Sequence, residues 1–463
     1  MPVAALHRRR LGAGHQGQCH KKHAPRLEHR ATFLLLRANC YRESRTPAVI
    51  FYRNVASVML AIAIWQIANG LLNVILPLTM AEAGWSGVAI GSIASAYALG
   101  FMAGAFYAPR LISRIGHIRS FAAAGGLAAA ATLFLGTDTS VYLWFALRLI
   151  FGASAAVLFA VAESWIADAT PADKRGGVIS AYQIAGRAGI VIGPFLIAAG
   201  AEGVGAALLT AGAFLALAIS PIAITGKAQP VLPDRVPGSP LDLIRIAPAG
   251  AIAVLTAGLV NTGVLAFIPI WAGNLGTPSE DANMTTAAAL VMGVIYAGSM
   301  ASQWPAGRIS DHFDRRHVMA ALAAAWALVS LVLTAFVDPG IMLGVILIGL
   351  WGATSLAHYG IAVAHAADRA DPGELPTMAS GLLLVWAVGS VIGPLITGAL
   401  YASPLGMRGV FLFSALAGLA MAGAMFLRGR VRPKVSEAER EEFVNLQATS
   451  AALVEPGEES PTE

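Results

Sequence analysis

The chain has 463 residues, of which 57% are hydrophobic and only 12% charged, with a formal net charge of +5. Soluble domains carry about 25% charged residues, so the composition describes a polytopic membrane protein. The positive charge does not form a nucleic-acid-binding face. Ten basic residues fall before Pro47, residues 48–428 carry 17 basic against 16 acidic, and the tail from Gly429 has four basic and eight acidic. Cys19 and Cys40 both precede the first apolar segment, so the membrane core has no disulfide scaffold and no cysteine nucleophile.

Residues 1–47 are rich in Arg, Lys and His. They read as a disordered basic extension over anionic lipid, as a transit-like segment, or as sequence upstream of the true start. Cys19, His20 and His23 lack a fourth ligand for a metal. Twelve apolar stretches then follow, each about 20 residues or more as a bilayer crossing requires: 54–80, 86–108, 118–136, 141–167, 175–200, 204–225, 246–272, 284–306, 316–337, 340–366, 376–401 and 407–428. The polar break at 226–245 divides them into two six-helix bundles, 48–225 and 246–428, leaving 429–463 as an acidic tail. Alternate loops hold nearly all the loop arginines and lysines, while the opposite loops hold Arg408 alone beside six acids. Basic loops stay in the cytoplasm, which predicts that both termini are cytoplasmic.

The two halves repeat one another. Gly189, Gly193 and Pro194 in the fifth stretch return as Gly389, Gly393 and Pro394 in the eleventh. Asn69 precedes Pro77 by eight residues, as Asn261 precedes Pro269. The charged run Gly307–Arg316, GRISDHFDRR, has a worn copy at Pro109–Arg119, where Ser113 stands in place of Asp311. The second run reads as a short charged turn between two spans. It resembles the cytoplasmic signature GxLaDRxGRR of the major facilitator superfamily. The Gly-Pro motif resembles that superfamily's fifth-span motif, and Arg148 with Gly152 its fourth-span RxxxG. The stretch Ala162–Pro194 and the passage from Tyr359 through Ser380-Gly-Leu-Leu-Leu resemble the YcaD-type bacterial transporters of that superfamily. The resemblance implies an all-α fold of twelve transmembrane helices in two pseudo-repeats, with the substrate near midplane between them. It also implies that Gly307, Arg308, Asp311, Arg315 and Arg316 latch the halves together on the cytoplasmic side. Asn73–Pro77, NVILP, resembles the first-span end of proton-coupled drug exporters, but Ala68 stands where those proteins place an acid.

Ionisable groups inside a bilayer are costly and therefore functional candidates. Arg148, Glu163, Arg187, His365 and Asp368 are the candidates for transport and coupling, with the helix-end reading open for Glu163, His365 and Asp368. Gln66, Asn69, Asn73, Gln183, Asn261 and Gln303 offer neutral hydrogen bonds to a ligand or to neighbouring helices. Gly189, Gly193, Pro194, Gly389, Gly393 and Pro394 are open to two readings, packing and hinge. No phosphate-binding loop and no metal-ligand cluster lies within the spans, so no cofactor is implied and ATP-driven transport and enzyme chemistry are excluded. The expected function is secondary transport of a small molecule across a bacterial inner membrane by a monomer in the lipid bilayer, with protons as coupling ion and export as direction. A non-transporting sensor on the same fold and a facilitated carrier for uptake are the alternatives.

Overall fold

In the bilayer core no water satisfies backbone amides, so a chain this apolar must close its hydrogen bonds within helices. The computed structural model describes residues 29–170, 175–198, 203–225, 242–275, 284–370 and 375–431, and they contain helices and no strand. Residues 1–28, most of the 226–245 linker and most of the acidic tail lie outside the described residues. Two units are distinguished, Met1–Ile50 and Phe51–Glu463, and the second holds every span.

The helices are α1 (His29–Glu82), α2 (Gly87–Ile115), α3 (His117–Phe134), α4 (Val141–Ala169), α5 (Arg175–Ala198), α6 (Val204–Leu217), α7 (Ser220–Ala223), α8 (Asp242–Ile246) and α9 (Pro248–Ala257). A π-helical turn, Gly258–Thr262, precedes α10 (Gly263–Leu265) and α11 (Ile268–Gly273). Then come α12 (Met284–His312), α13 (Arg315–Ala335), α14 (Gly340–Ser355), α15 (His358–Ala367), α16 (Leu375–Tyr401) and α17 (Met407–Val431). Among the described residues, eleven spans are long and apolar enough to cross a membrane, the first being Val55–Glu82 of α1. α3 stands where the third of twelve was expected. Its 18 residues reach only about 27 Å at helical rise, and its first turn carries His117, Arg119 and Ser120.

Three spans expected to be continuous are broken. Residues 246–272 split into α9, the π turn, α10 and α11, 340–366 into α14 and α15, and 204–225 into α6 and α7. The buried His358 stands just past the second break; its Nδ1 meets the Ser355 carbonyl oxygen and its Nε2 reaches that of Ala253 at 3.2 Å. The charged runs are also more helical than expected. α12 continues through His312 and α13 begins at Arg315, so only Phe313 and Asp314 form the turn. Asp314 caps α13 by accepting the Arg316 amide at 3.0 Å. In the first copy α2 runs on through Pro109 to Ile115, and Gly116 alone makes the turn at φ 84°, a conformation that suits a residue without a Cβ.

The paired glycines mark equivalent crossings. A Cβ on Gly189 or Gly193 would lie 2.3 or 2.2 Å from the carbonyl oxygens of Ala63 and Ile67 in α1. On Gly389 or Gly393 it would lie 2.5 or 2.2 Å from those of Leu255 and Leu259. Each motif thus seats its helix directly on the backbone of the first span of its own half, the small-residue contact common between membrane helices. Pro194 and Pro394 both lie inside their helices without ending them.

Candidate functional site: a central cavity between the two halves of the chain

The approach of α2 to α4 fixes the first cationic group. A Cβ on Gly152 would sit 2.0 Å from the Tyr97 carbonyl oxygen, so only glycine permits this crossing. One helical turn away, the guanidinium of Arg148 lies 4.8 Å from the Tyr97 ring centroid and 5.0 Å from that of Phe151. Arg148 is 8% exposed, and its Nη1 is buried without a hydrogen-bond partner.

Arg148 lines a cavity of about 230 Å³ together with Asn69, Asn73, Pro77, Tyr97, Tyr296 and Trp386. A second lobe of about 210 Å³ is lined by Gln66, Phe159, Arg187, Asn261 and Tyr359. The lobes share Asn69, Tyr97, Thr262, Leu265, Tyr296 and Trp386, so they form one space between helices of the first and second halves. Asn261 enters it from the π turn, a helical irregularity common at functional sites. Asn69 Nδ2 donates to Gln66 Oε1 at 3.1 Å, Asn73 Nδ2 to the Tyr296 hydroxyl at 3.1 Å, and Arg187 Nη1 to Ser299 Oγ at 3.1 Å. The last two bonds cross from one half to the other.

Of the candidates named from sequence, Arg148, Arg187, Gln66, Asn69, Asn73 and Asn261 line this space. Gln183 and Gln303 are buried outside it, and Gln303 Nε2 donates to Ser299 Oγ at 3.2 Å. Glu163 is 9% exposed and outside the cavity lining, within electrostatic reach of Tyr182 and Tyr359. The polar contact of Arg187 is Ser299, and Glu163 is not its partner. His365 is buried in a separate small recess with Arg316, Arg369 and Arg428.

Asp368 belongs to the charged clasp. Arg315 grips it with two bonds, Nε to Oδ2 at 2.7 Å and Nη2 to Oδ1 at 3.2 Å. Nη1 of Arg315 reaches Asp311 Oδ1 at 3.2 Å and Ser310 Oγ at 3.0 Å. Arg316 holds Asp314 at 2.7 Å and donates to the Arg428 carbonyl at 2.8 Å. Arg308 instead stacks on Trp304, 4.2 Å from the ring centroid. These contacts tie together the ends of α12, α13, α15 and α17, all in the second half. In the first copy Ser113 Oγ only donates to the Arg110 carbonyl at 2.9 Å. Burial alone would raise the pKa of Asp314, but hydrogen bonds from the Arg316 side chain and amide hold it down at about 2.

Sequence reasoning missed the aromatic lining, Tyr97, Phe159, Tyr296, Tyr359 and Trp386. In an apolar helix such residues carry no mark distinguishing a cavity wall from a lipid-facing or core position. The spacing from Arg148 to Gly152 was the available pointer to Tyr97, and it needed the α2–α4 crossing to be read.

The two halves pack closely against each other toward the end of the bundle where α1 meets α2. A Cβ on Gly87 would lie 2.6 Å from the Gly398 oxygen, and one on Gly91 2.2 Å from that of Pro394. Phe195 of α5 fills the space over Gly293 of α12 near the same end. Ser95 Oγ adds a 2.7 Å bond to the Val391 carbonyl.

The family model described as Major Facilitator Superfamily matches residues 58–278 and 250–457. An uncharacterized MFS-type transporter, YcaD, of Salmonella arizonae is 24% identical over 351 residues, covering 75% of this chain and 88% of its own. The fold is similar to that of the nucleoside transporter NupG (D323A mutant), with TM-score 0.68, 14% identity and coverage of 81% of this chain and 99% of that one. It is also similar to a bacterial homologue of the human lysosomal transporter Spinster in an inward-facing and occupied conformation, with TM-score 0.67, 16% identity and coverage of 84% and 97%. A helical membrane chain with a cavity between its halves and a family match over most of its length, this protein belongs to the Major Facilitator Superfamily of secondary transporters, not to the enzymes.

Proposed function

We propose that the protein exports a small molecule across the bacterial inner membrane by alternating access, driven by protons. It works as a monomer with both termini in the cytoplasm and two six-helix bundles, 48–225 and 246–428, rocking about the central cavity. The observation that carries this reading is the cavity itself. Its walls come from both halves, and the halves pack tightly against each other at Gly87–Gly398, Gly91–Pro394 and Phe195–Gly293. With the basic loops cytoplasmic, this tightly packed end is the outer one, and in this reading the cavity belongs to the inward-facing side of the cycle.

Glu163 is the proton carrier in this reading. It is a buried carboxylate within electrostatic reach of Tyr359, which lines the second lobe. Movement of α15 against α4 changes the polarity around that carboxylate, and a drier setting favours the protonated form of any carboxyl group while a wetter one favours the ionised form. Direction and coupling are tested in inside-out and right-side-out vesicles with an imposed pH gradient. Glu163→Gln is expected to abolish accumulation against a gradient while preserving exchange of substrate for substrate. Undiminished gradient-driven accumulation by that variant would remove Glu163 from the mechanism.

A further inference from the structure

Two positive charges line the central cavity, and no described acid faces them. Arg148 and Arg187 both open onto it, whereas its lining includes no Asp, Glu, Lys or His. The ion pairs described for this chain are Arg315–Asp311, Arg315–Asp368 and Arg316–Asp314, all at the α12–α13 turn. Arg148 is more than nine-tenths buried, its contacts are the faces of Tyr97 and Phe151, and its Nη1 donates to nothing. Arg187 donates one bond to Ser299, and its buried Nε also lacks a partner. A guanidinium does not escape burial by losing its proton, so each retains its charge and unused donors in a low-dielectric space. Packing explains part of this: Arg148 bridges α2 and α4 through two aromatic faces. A cation–π contact leaves the in-plane N–H donors unused, however, and in-plane donors are what a carboxylate or phosphate engages.

We infer that the transported molecule is a small organic anion with a flat apolar body, its anionic group seated on Arg148 and its body between Tyr97, Tyr296 and Trp386. Arg187 is the second cationic station, in the lobe lined by Asn261 and Tyr359. An anion placed there supplies the countercharge that the walls lack and engages the donors that the surrounding side chains leave unused. The inference rests on the central cavity being the transport site.

The test is equilibrium binding of four probes of one shape to purified protein in nanodiscs: benzoate, phenyl phosphate, neutral benzyl alcohol and cationic benzylamine. The two anions are expected to bind at least tenfold more tightly than the alcohol, with benzylamine weakest. Arg148→Met should lose the anion preference and retain the weak alcohol affinity, while Arg148→Lys should keep part of it. If Arg148→Met does not fold, the probe ranking on the wild-type protein and the anion affinity of Arg187→Gln decide, the latter expected to fall severalfold. Binding of the alcohol or amine as tight as benzoate, failure of both anions to bind, or unchanged anion affinity in the arginine variants overturns the inference. Binding needs no gradient and no turnover. Anion binding without vesicle transport would therefore count against the transport reading while leaving the anion site on Arg148 established, and transport indifferent to anions would overturn the inference while leaving the transport reading standing.

Discussion

Arg315, 2% exposed, divides its guanidinium between two acids that differ sharply in exposure. The Asp368 side chain is 3% exposed and takes two bonds, whereas that of Asp311 is 30% exposed and takes one. Removing one partner of a buried pair costs about 3–5 kcal/mol, because a charge is left stranded; a partly exposed pair contributes up to about 1 kcal/mol. Asp368→Asn should therefore lower the unfolding midpoint in detergent well below that of Asp311→Asn, and equal losses would refute the ranking. Asp311 is the acid made prominent by the motif, but the tighter partner of Arg315 is Asp368, at the end of α15 and 53 residues on from the arginine. Linear spacing gives no hint of that pairing. A neighbouring acid responds to pH. Asp314 has its pKa lowered from 3.8 to about 2, so its ionised form favours folding above about pH 4, and that contribution is lost as pH falls toward 2. Asp314→Asn should flatten the pH dependence of unfolding in this window. An unchanged slope would mean that the Asp314–Arg316 contact does not persist in solution.

Helices were the most legible elements, since length and apolarity alone identify a span, and their breaks were the least. Pro269 follows the π turn rather than causing it, and the break at Leu356–Ala357 contains neither glycine nor proline. There the interruption accompanies tertiary contacts: a Cβ on Gly258 would lie 2.3 Å from the Trp386 carbonyl oxygen, and His358 bonds across to Ala253. Such contacts are set by partners more than 90 residues away, outside any local window. The glycine motifs show the converse, a local pattern whose purpose is a crossing. Gly152→Ala should push α2 from α4, shift Tyr97 off Arg148 and cost about 1–3 kcal/mol, the usual penalty of overpacking. A Cβ on Gly126, by contrast, would have nothing within 4 Å, so Gly126→Ala should be neutral or stabilising by up to about 1 kcal/mol. Thermal unfolding of the two variants side by side checks the contrast, and equal effects would show that the crossing is not tight.

At the scale of the whole molecule, the sequence repeat made two halves visible, and the position of the cavity between them followed. Where the halves pack most tightly was not legible, because that depends on how α2 meets α16 and α5 meets α12. Alternating access requires those contacts to part once in every cycle. Gly87 and Gly398 touch backbone to backbone, close enough for paired cysteines at these positions to meet the geometry of a disulfide, whose Cα atoms lie about 4.4–6.8 Å apart. In a background with Cys19 and Cys40 replaced, Gly87→Cys with Gly398→Cys should cross-link under mild oxidation. The link holds this end shut, so net transport should stop while probes still bind from the opposite end, and reduction should restore transport. Each single-cysteine variant controls for the volume added at a contact that tolerates little. If the cross-linked protein transports at the rate of its reduced form, the α2–α16 contact is not a gate and the cavity must empty by another route.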